Sequence, residues 1–145
     1  MSDSQNSFKQ PEAKELRDGT ILLQLKHTYL NDQNEQTFNN FMSCLLDSFL
    51  LLPAKSINGT AYPLIITSSE GKNALPVFSN IEQVGNEFND EDIDFYKMTL
   101  TECIEFLTKV DECTDIVLDP FTEQFIIEEK LSNEIMKMKD EGKLS

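Results

Sequence analysis

Positively charged residues are scarce in this 145-residue chain: 12 Lys and Arg residues stand against 26 Asp and Glu residues, which gives a formal charge of −14. Arg17 is the sole arginine. Nucleic acid would be repelled, and forked contacts to phosphate need arginines that this chain lacks. The same charge disfavours an anionic membrane surface. Two interpretations remain: the charge keeps the protein soluble, or it forms an acidic surface for a basic partner.

Histidine and cysteine, the usual residues of nucleophilic and zinc sites, are also scarce. A Ser-His or Cys-His catalytic pair would have to use His27, and a surface or helix-packing role is favoured for it. Cys44, Cys103 and Cys113 form an odd number without a CxxC pair, which is typical of reduced, mostly buried thiols in a reducing compartment. We therefore expect no catalytic residue, no metal and no cofactor.

Long apolar segments are absent as well. The run at residues 49–52 is far too short to cross a bilayer, and the polar N-terminus has no apolar core of a secretory signal. Hydrophobic content of 39% and charged content of 26% are near the globular norm. We expect a cytoplasmic protein with a disordered tail over residues 1–10 and a single domain over residues 11–145.

One acidic segment has some features of a cation site. Asp90, Asp92 and Asp94 alternate like the carboxylates of a calcium-binding loop. Phe95 and Thr101, however, stand where an EF-hand requires Gly and a bidentate Glu. A solvated acidic loop is the favoured interpretation, and weak cation binding stays open.

Two helices are predicted before residue 50. Pro11 suits the first turn of a helix that runs to about residue 30. The segment 32–35 has the shape of a capping box with Asp32 in place of Ser or Thr, and it precedes a second helix. The apolar stripe of that second helix recurs at helical spacing and comprises Phe38, Phe41, Met42, Leu45, Leu46 and Phe49.

The pattern then changes to that of β-strands. Residues 49–57 and 60–68 flank Asn58-Gly59, the strongest short signal for a type I′ hairpin. A second turn at residues 69–72 leads into a strand over residues 73–79. We predict a three-stranded antiparallel meander, with its prolines at strand ends, bulges or edges.

The second half of the chain adds helices and short strands. Thr99 and Glu102 form a capping box before an apolar helical stripe. Residues 95–98, 116–118 and 125–127 are short strand candidates, and a helix closes the chain. The predicted class is α+β, with an antiparallel or mixed sheet of about five strands in a single layer packed against helices.

Three segments carry a resemblance to a known family. They are Phe-Leu-Leu-Leu-Pro at residues 49–53, the segment at residues 63–79 with its Gly-x-x-Ala-Leu-Pro-Val-Phe core, and Ile-Val-Leu-Asp-Pro at residues 116–120. Together they resemble the N-terminal domain of the SseB family, bacterial proteins named for enhanced serine sensitivity. The resemblance runs from about residue 38 to about residue 135. Asp119 stands where the family commonly has Asn.

The resemblance implies a small α+β domain of the bacterial cytoplasm without an established enzymatic activity. Larger members carry a second C-terminal domain, for which we expect 145 residues to be too short. We predict a non-enzymatic domain that binds an unidentified protein partner or has a regulatory role. Its candidate surface comprises Phe78, Ser79, Asp119, Pro120 and Thr122.

An alternative function stays open at this point: a small-molecule binding protein or an enzyme that uses a pocket between sheet and helices. The protein-binding function predicts an exposed apolar patch or edge strand. The alternative predicts a concave pocket with convergent polar groups. A homodimer through the sheet edge is compatible with both.

Overall fold

The computed structural model describes residues 19–88, 92–110 and 113–142. The described helices are α1 (Thr20–Asn31), α2 (Glu35–Asp47), α3 (Leu100–Leu107) and α4 (Glu129–Asp140). The described strands are β1 (Phe49–Ile57), β2 (Thr60–Pro63), β3 (Ile66–Thr67), β4 (Asn73–Val77), β5 (Ile93–Thr99), β6 (Asp115–Leu118) and β7 (Phe125–Ile127). The predicted tail at residues 1–10, the helix start at Pro11 and the acidic residue Asp90 lie outside the described residues.

Two predictions for the helices of the first half need correction. Gly19 has φ +80°, a left-handed conformation that no helix interior adopts, so the predicted helix does not run unbroken through this residue and α1 begins at Thr20. The second helix is capped by Asn34, whose side-chain Oδ1 accepts the Thr37 N–H at 2.9 Å. Asp32 cannot serve there because it ends α1, with its N–H bonded to the Thr28 carbonyl. The predicted last member of the α2 stripe, Phe49, instead begins β1 and is half exposed.

The hairpin predicted at Asn58-Gly59 is confirmed. Asn58 has φ +53° and Gly59 has φ +83°, the two positive values that a type I′ turn requires. Strands β1 and β2 pair antiparallel with Ile57 opposite Thr60. The capping box at Thr99 and Glu102 is confirmed too, and it begins α3.

The predicted three-stranded meander is correct at both turns but wrong as a single sheet. Strand β3 pairs antiparallel with β4 across the turn predicted at residues 69–72, but the predicted middle strand is divided into β2 and β3, which lie in different sheets. Strand β4 then pairs parallel with β6, and β1 pairs antiparallel with β5 along its length. The strand orders are β2-β1-β5 and β3-β4-β6-β7, and Leu51 and Phe78 exchange backbone hydrogen bonds of 2.8 and 2.9 Å between the two sheets. The α+β class is confirmed, with seven described strands where about five were predicted.

The prediction for the prolines is confirmed only for Pro63; Pro53 and Pro76 lie within the ladders of the central strands β1 and β4, where it had excluded them. Pro63 is the last residue of β2. Pro53 lies in β1 between Ala54, which pairs with β2, and Leu51, which bonds to Phe78. Pro76 lies in β4 beyond the residues that pair with β3. A missing N–H is tolerated at such positions because few ladder bonds are lost.

All four described helices pack on one side of the joined sheets, which we call the helix side. The apolar core there is fully buried, and ring contacts link the helices to the sheet, with Phe41 at 4.9 Å from Phe125 and 6.0 Å from Tyr29 between centroids. The strand residues in this core are Leu50, Leu52, Leu75, Val77, Ile116, Leu118 and Ile127. They alternate along their strands, so their neighbours in sequence point to the opposite side.

The cysteines are free thiols and mostly buried, as predicted. Cys103 and Cys113 are buried, and Cys44 is half-buried on α2. Burial raises the pKa of Cys103 to about 12. Burial also raises the pKa of Cys44, opposed by a hydrogen bond with Ser48 and reinforced by the charge of Asp47.

We expect the thiols to alkylate in a fixed order. Since the thiolate is the nucleophile, a raised pKa slows the reaction at pH 8, and raising the pH speeds it. Iodoacetamide should modify Cys44 first, and Cys103 only after unfolding in urea, as read by peptide mass spectrometry. Equal rates for Cys44 and Cys103 in the folded protein would contradict this packing.

Candidate functional site

The two segments that carry the predicted site residues meet at one end of the sheet. Strands β4 and β6 are parallel neighbours, with Val77 opposite Leu118. Their carboxyl ends therefore lie side by side, and the Asp119 N–H donates to the Val77 carbonyl at 2.8 Å. Phe78 and Ser79 follow one strand, and Asp119 and Pro120 follow the other.

The Asp119 carboxylate is the centre of a buried polar network. Its Oδ1 accepts the Ser79 N–H at 2.8 Å. Its Oδ2 accepts the Ser79 hydroxyl at 2.6 Å and the Lys26 Nζ at 2.7 Å. Asp119 has φ +53°, a left-handed conformation that Asp tolerates better than most residues. The buried negative charge is thus paired and hydrogen-bonded.

Lys26 was missed by the sequence reasoning. Its side chain is only 1% exposed, and it enters the sheet end from α1. A signal existed, because Lys26 lies four residues after Leu22 and three before Tyr29 and so belongs to the apolar stripe of its helix. A charge in such a stripe indicates a buried partner elsewhere in the chain.

A second contact holds α1 against the same sheet end. A Cβ built on Gly19 would lie 2.5 Å from the Ser79 carbonyl oxygen, closer than real Cβ atoms approach. Only glycine allows this approach together with φ +80°. Helix α1 is therefore fixed twice, by Gly19 against Ser79 and by Lys26 to Asp119.

The predicted binding residues are brought together but differ in exposure. Phe78, Ser79 and Asp119 are buried, so they cannot touch a partner directly. Pro120 is half-buried and Thr122 is exposed. A binding role for this group stays a prediction, and direct contact would fall to Pro120 and Thr122.

Aromatic rings cover Phe78 on the side of the sheet away from the helices. Its centroid lies 6.1 Å from that of Phe88 and 5.8 Å from that of Phe121. The Thr122 hydroxyl donates to Gln83 Oε1 at 2.7 Å, which ties the loop after β6 to the short 3-10 turn at Ile81–Gln83. This part of the sheet is covered by the chain itself.

The remainder of that side, which we call the outer face, is largely apolar; it is exposed at its two ends and closed at its centre, where Pro53 is buried. It consists of the side chains of β2, β1 and β5 that point away from the helix side, and partners in the strand register share a side. Phe49, Ile57 and Tyr62 are each about half exposed, at 51%, 50% and 51%. The members of the outer face are Phe49, Leu51, Pro53, Lys55, Ile57, Thr60, Tyr62, Ile93, Phe95, Lys97 and Thr99.

The outer face is separate from the core. None of its apolar side chains belongs to the helix-side core or packs against it as a partly buried member. The run of five apolar residues at 49–53 signalled this, since an unbroken run places apolar side chains on both sides of a strand. An exposed apolar area of this kind is typical of an interaction surface.

A groove lies between α2 and α4, on the far side of the helices. Its volume is about 460 Å³, and its polar residues are Asn39, Glu134, Lys137 and Glu141. Its apolar residues are Phe38, Met42, Leu46, Leu131, Ile135 and Met138. The groove is bounded by two helices. A smaller pocket, of about 280 Å³, lies between strand β7 and the helices α1, α2 and α4, and so has the location that the alternative function predicts.

His27 lies on the surface of α1. Its Nδ1 is 2.9 Å from Glu123 Oε2, and the Asn31 amide lies beside it. Neither contact is the Ser or Cys of a Ser-His or Cys-His catalytic pair. In the described part of the chain no group of three or more His, Cys, Asp and Glu residues is placed to hold a metal ion. Within the same residues, no helix has the length and apolar character needed to span a membrane.

The family comparison agrees with this architecture. The family model described as SseB protein N-terminal domain matches residues 22–130. The match begins inside α1, includes all seven described strands and ends in the first turn of α4. No curated protein and no solved structure matches the chain. Since the matched segment covers most of its length, the chain belongs to the SseB family.

Proposed function

We propose that this SseB-family domain is a non-enzymatic protein-binding domain of the bacterial cytoplasm, and that it takes its partner on the outer face. The observation that carries the proposal is the pair of half-exposed apolar side chains Ile57 and Tyr62, which lie on neighbouring strands at one end of the outer face, away from the helix-side core. Phe49, equally exposed, lies at the other end of β1, about 26 Å along the strand. Exposed apolar side chains grouped on a sheet are typical of an interaction surface.

The group predicted from the sequence adjoins this face. Leu51 of the outer face bonds to Phe78 through the bridge between the two sheets. The Asp119 network then fixes the residues that follow Phe78, because Ser79 donates two hydrogen bonds to that carboxylate. In this arrangement the buried members of the group hold the sheet end in shape, and Pro120 and Thr122 lie at its rim.

The alternative of a small-molecule site has less support. The charged residues that line the groove between α2 and α4, and those that line the pocket beside β7, are all exposed at the rim of these cavities. A site for a specific small molecule places several polar groups so that they converge on the ligand. The protein-binding function is therefore the one that we develop.

Substitution of Tyr62 by Ser should weaken partner capture about tenfold, the loss typical of an exposed aromatic anchor. The purified chain is immobilised, bacterial lysate is passed over it, and retained proteins are quantified by mass spectrometry. The chain offers a matched control in Tyr96, which is 42% exposed and belongs to the same sheet. Tyr96 pairs with Leu52 and so points to the opposite side.

The expected result is a set of proteins retained by the wild type and by Tyr96→Ser but lost from Tyr62→Ser. Circular dichroism checks that both variants are folded. Equal retention by the two serine variants would show that the outer face is not the binding surface.

A further inference from the structure

The outer face differs in charge from the rest of the protein. Its charged members are Lys55 of β1 and Lys97 of β5, and no Asp or Glu of the three strands points to this side. The acidic residue within β5, Asp94, pairs with Ala54 and points the other way. A chain with a formal charge of −14 thus presents a locally positive apolar surface.

Within the described residues, these two lysines, Lys55 and Lys97, form no ion pair. Other lysines do form such pairs: Lys26 with Asp119, Lys72 with Asp115 and Lys139 with Glu105. The charges on the outer face are therefore available to a carboxylate from outside.

The spacing of the lysines is set by the strand register. Lys55 lies opposite Ile93, and Lys97 lies opposite Leu51, four residues further along β5. Four residues of a strand span about 13 Å, and neighbouring strands lie about 5 Å apart. The Cα atoms of Lys55 and Lys97 are therefore about 14 Å apart. The Pro53–Phe95 pair lies midway between them. An apolar centre is thus flanked by one positive charge at each end.

An extended segment of polypeptide matches this arrangement. In such a segment, residues two and four positions apart point to the same side, and the outer two are about 13 Å apart. Strand β5 also has only one partner strand among the described residues, β1. Its other edge can take an added strand.

We propose that the outer face binds an extended protein segment in which two carboxylates, four residues apart, flank an apolar side chain. The carboxylates pair with Lys55 and Lys97, and the apolar side chain lies on Phe95. This inference rests on the proposed function and adds the chemistry of the partner. It differs from one of the two interpretations of the net charge, that of an acidic surface for a basic partner.

The charges decide against two other occupants. A second copy of the chain, seated face to face, would bring Lys55 and Lys97 of both copies together. An anionic membrane would gain two lysines but would repel the remainder of a strongly acidic protein. A short protein segment that carries carboxylates and an apolar side chain avoids both kinds of repulsion.

The test uses fluorescent peptides and the full chain. One short peptide carries two Glu residues four positions apart with Ile midway, a second has Lys in place of each Glu, and a third is a scrambled form of the first. Fluorescence anisotropy should show binding of the first peptide alone, weakened by high salt. Reversal of both charges with Lys55→Glu and Lys97→Glu should weaken that binding at least about tenfold.

Two further variants serve as controls. Lys109→Glu with Lys130→Glu makes the same change in net charge away from the outer face and should leave peptide binding unchanged. Lys55→Gln with Lys97→Gln removes the charges without reversing them and should give an intermediate loss of peptide binding. This variant replaces the charge-reversed one in the test if the charge-reversed one is poorly folded.

Three outcomes would overturn the inference: binding of the Lys peptide, absence of binding by every peptide, or binding to vesicles of phosphatidylcholine with phosphatidylserine that the lysine variants abolish. Dimerisation of the chain through this face, seen by light scattering and lost in Tyr62→Ser, would overturn it too. The proposed function is tested separately. Loss of lysate capture in Tyr62→Ser, combined with full capture by the charge-reversed variant, would retain the binding surface and reject the acidic partner.

Discussion

Replacement of Lys26 by Met should lower the free energy of unfolding by about 3–5 kcal/mol, because the buried Asp119 carboxylate loses its positive partner. The total free energy of unfolding of a domain of this size is roughly 5–15 kcal/mol, so the predicted loss is a large share of it. Urea denaturation followed by circular dichroism measures it. Lys130→Met, at an exposed position of α4, should change stability by no more than about 0.5 kcal/mol.

A double variant separates the charge effect from the loss of packing. With Asp119→Asn added to Lys26→Met, the interior holds no unpaired charge, and the side-chain carbonyl of the introduced amide can still accept the Ser79 N–H. The double variant should therefore be more stable than Lys26→Met alone. An additive loss from the two substitutions would mean that the ion pair contributes nothing to the coupling between α1 and the sheet.

Replacement of Gly19 by Ala should lower the free energy of unfolding by about 2–5 kcal/mol. About 1–2 kcal/mol comes from a left-handed conformation in a residue with a Cβ. A further 1–3 kcal/mol, roughly, comes from forcing that Cβ against the Ser79 carbonyl oxygen. The same urea titration measures it.

Gly85 provides the control for this effect. It also has positive φ, at +60°, but a Cβ placed there has nothing within 4 Å. Gly85→Ala should show only the conformational cost, about 1–2 kcal/mol. If Gly19→Ala and Gly85→Ala lowered the free energy of unfolding by the same amount, the close approach of α1 to the end of β4 would be refuted.

Local signals in the sequence were enough for the turns and caps. The Asn58-Gly59 turn and the Thr99–Glu102 box depend on residues a few positions apart, and both are as predicted. The cap of α2 was misassigned because Asp32 and Asn34 both suit an N-cap, and only the end of α1 decides between them.

Strand pairing required information that is not local. Strand β4 has its parallel partner in β6, some forty residues later, and β1 has its long antiparallel partner in β5. No turn signal links such strands, so adjacency in sequence was the default, and it predicted a meander. The number of strands was likewise underestimated because β3 has only two residues, Ile66–Thr67.

The site was predicted in part. The resemblance brought out the segments after β4 and β6, and the structure places Ser79 and Asp119 in direct contact. The resemblance did not predict that Ser79 and Asp119 are buried. Asp119 brings a charge into the interior, and Lys26 pairs with that charge. The outer face was not identified because its side of β1 follows only from the register with β5.

Tyrosine footprinting of a captured complex tests the central claim most directly. The chain contains three tyrosines, of which Tyr62 and Tyr96 are exposed on opposite sides of one sheet. Both should react with tetranitromethane in the free protein. We predict that the partner protects Tyr62 while Tyr96 keeps its rate. Protection of Tyr96 with an unchanged rate at Tyr62 would contradict binding on the outer face.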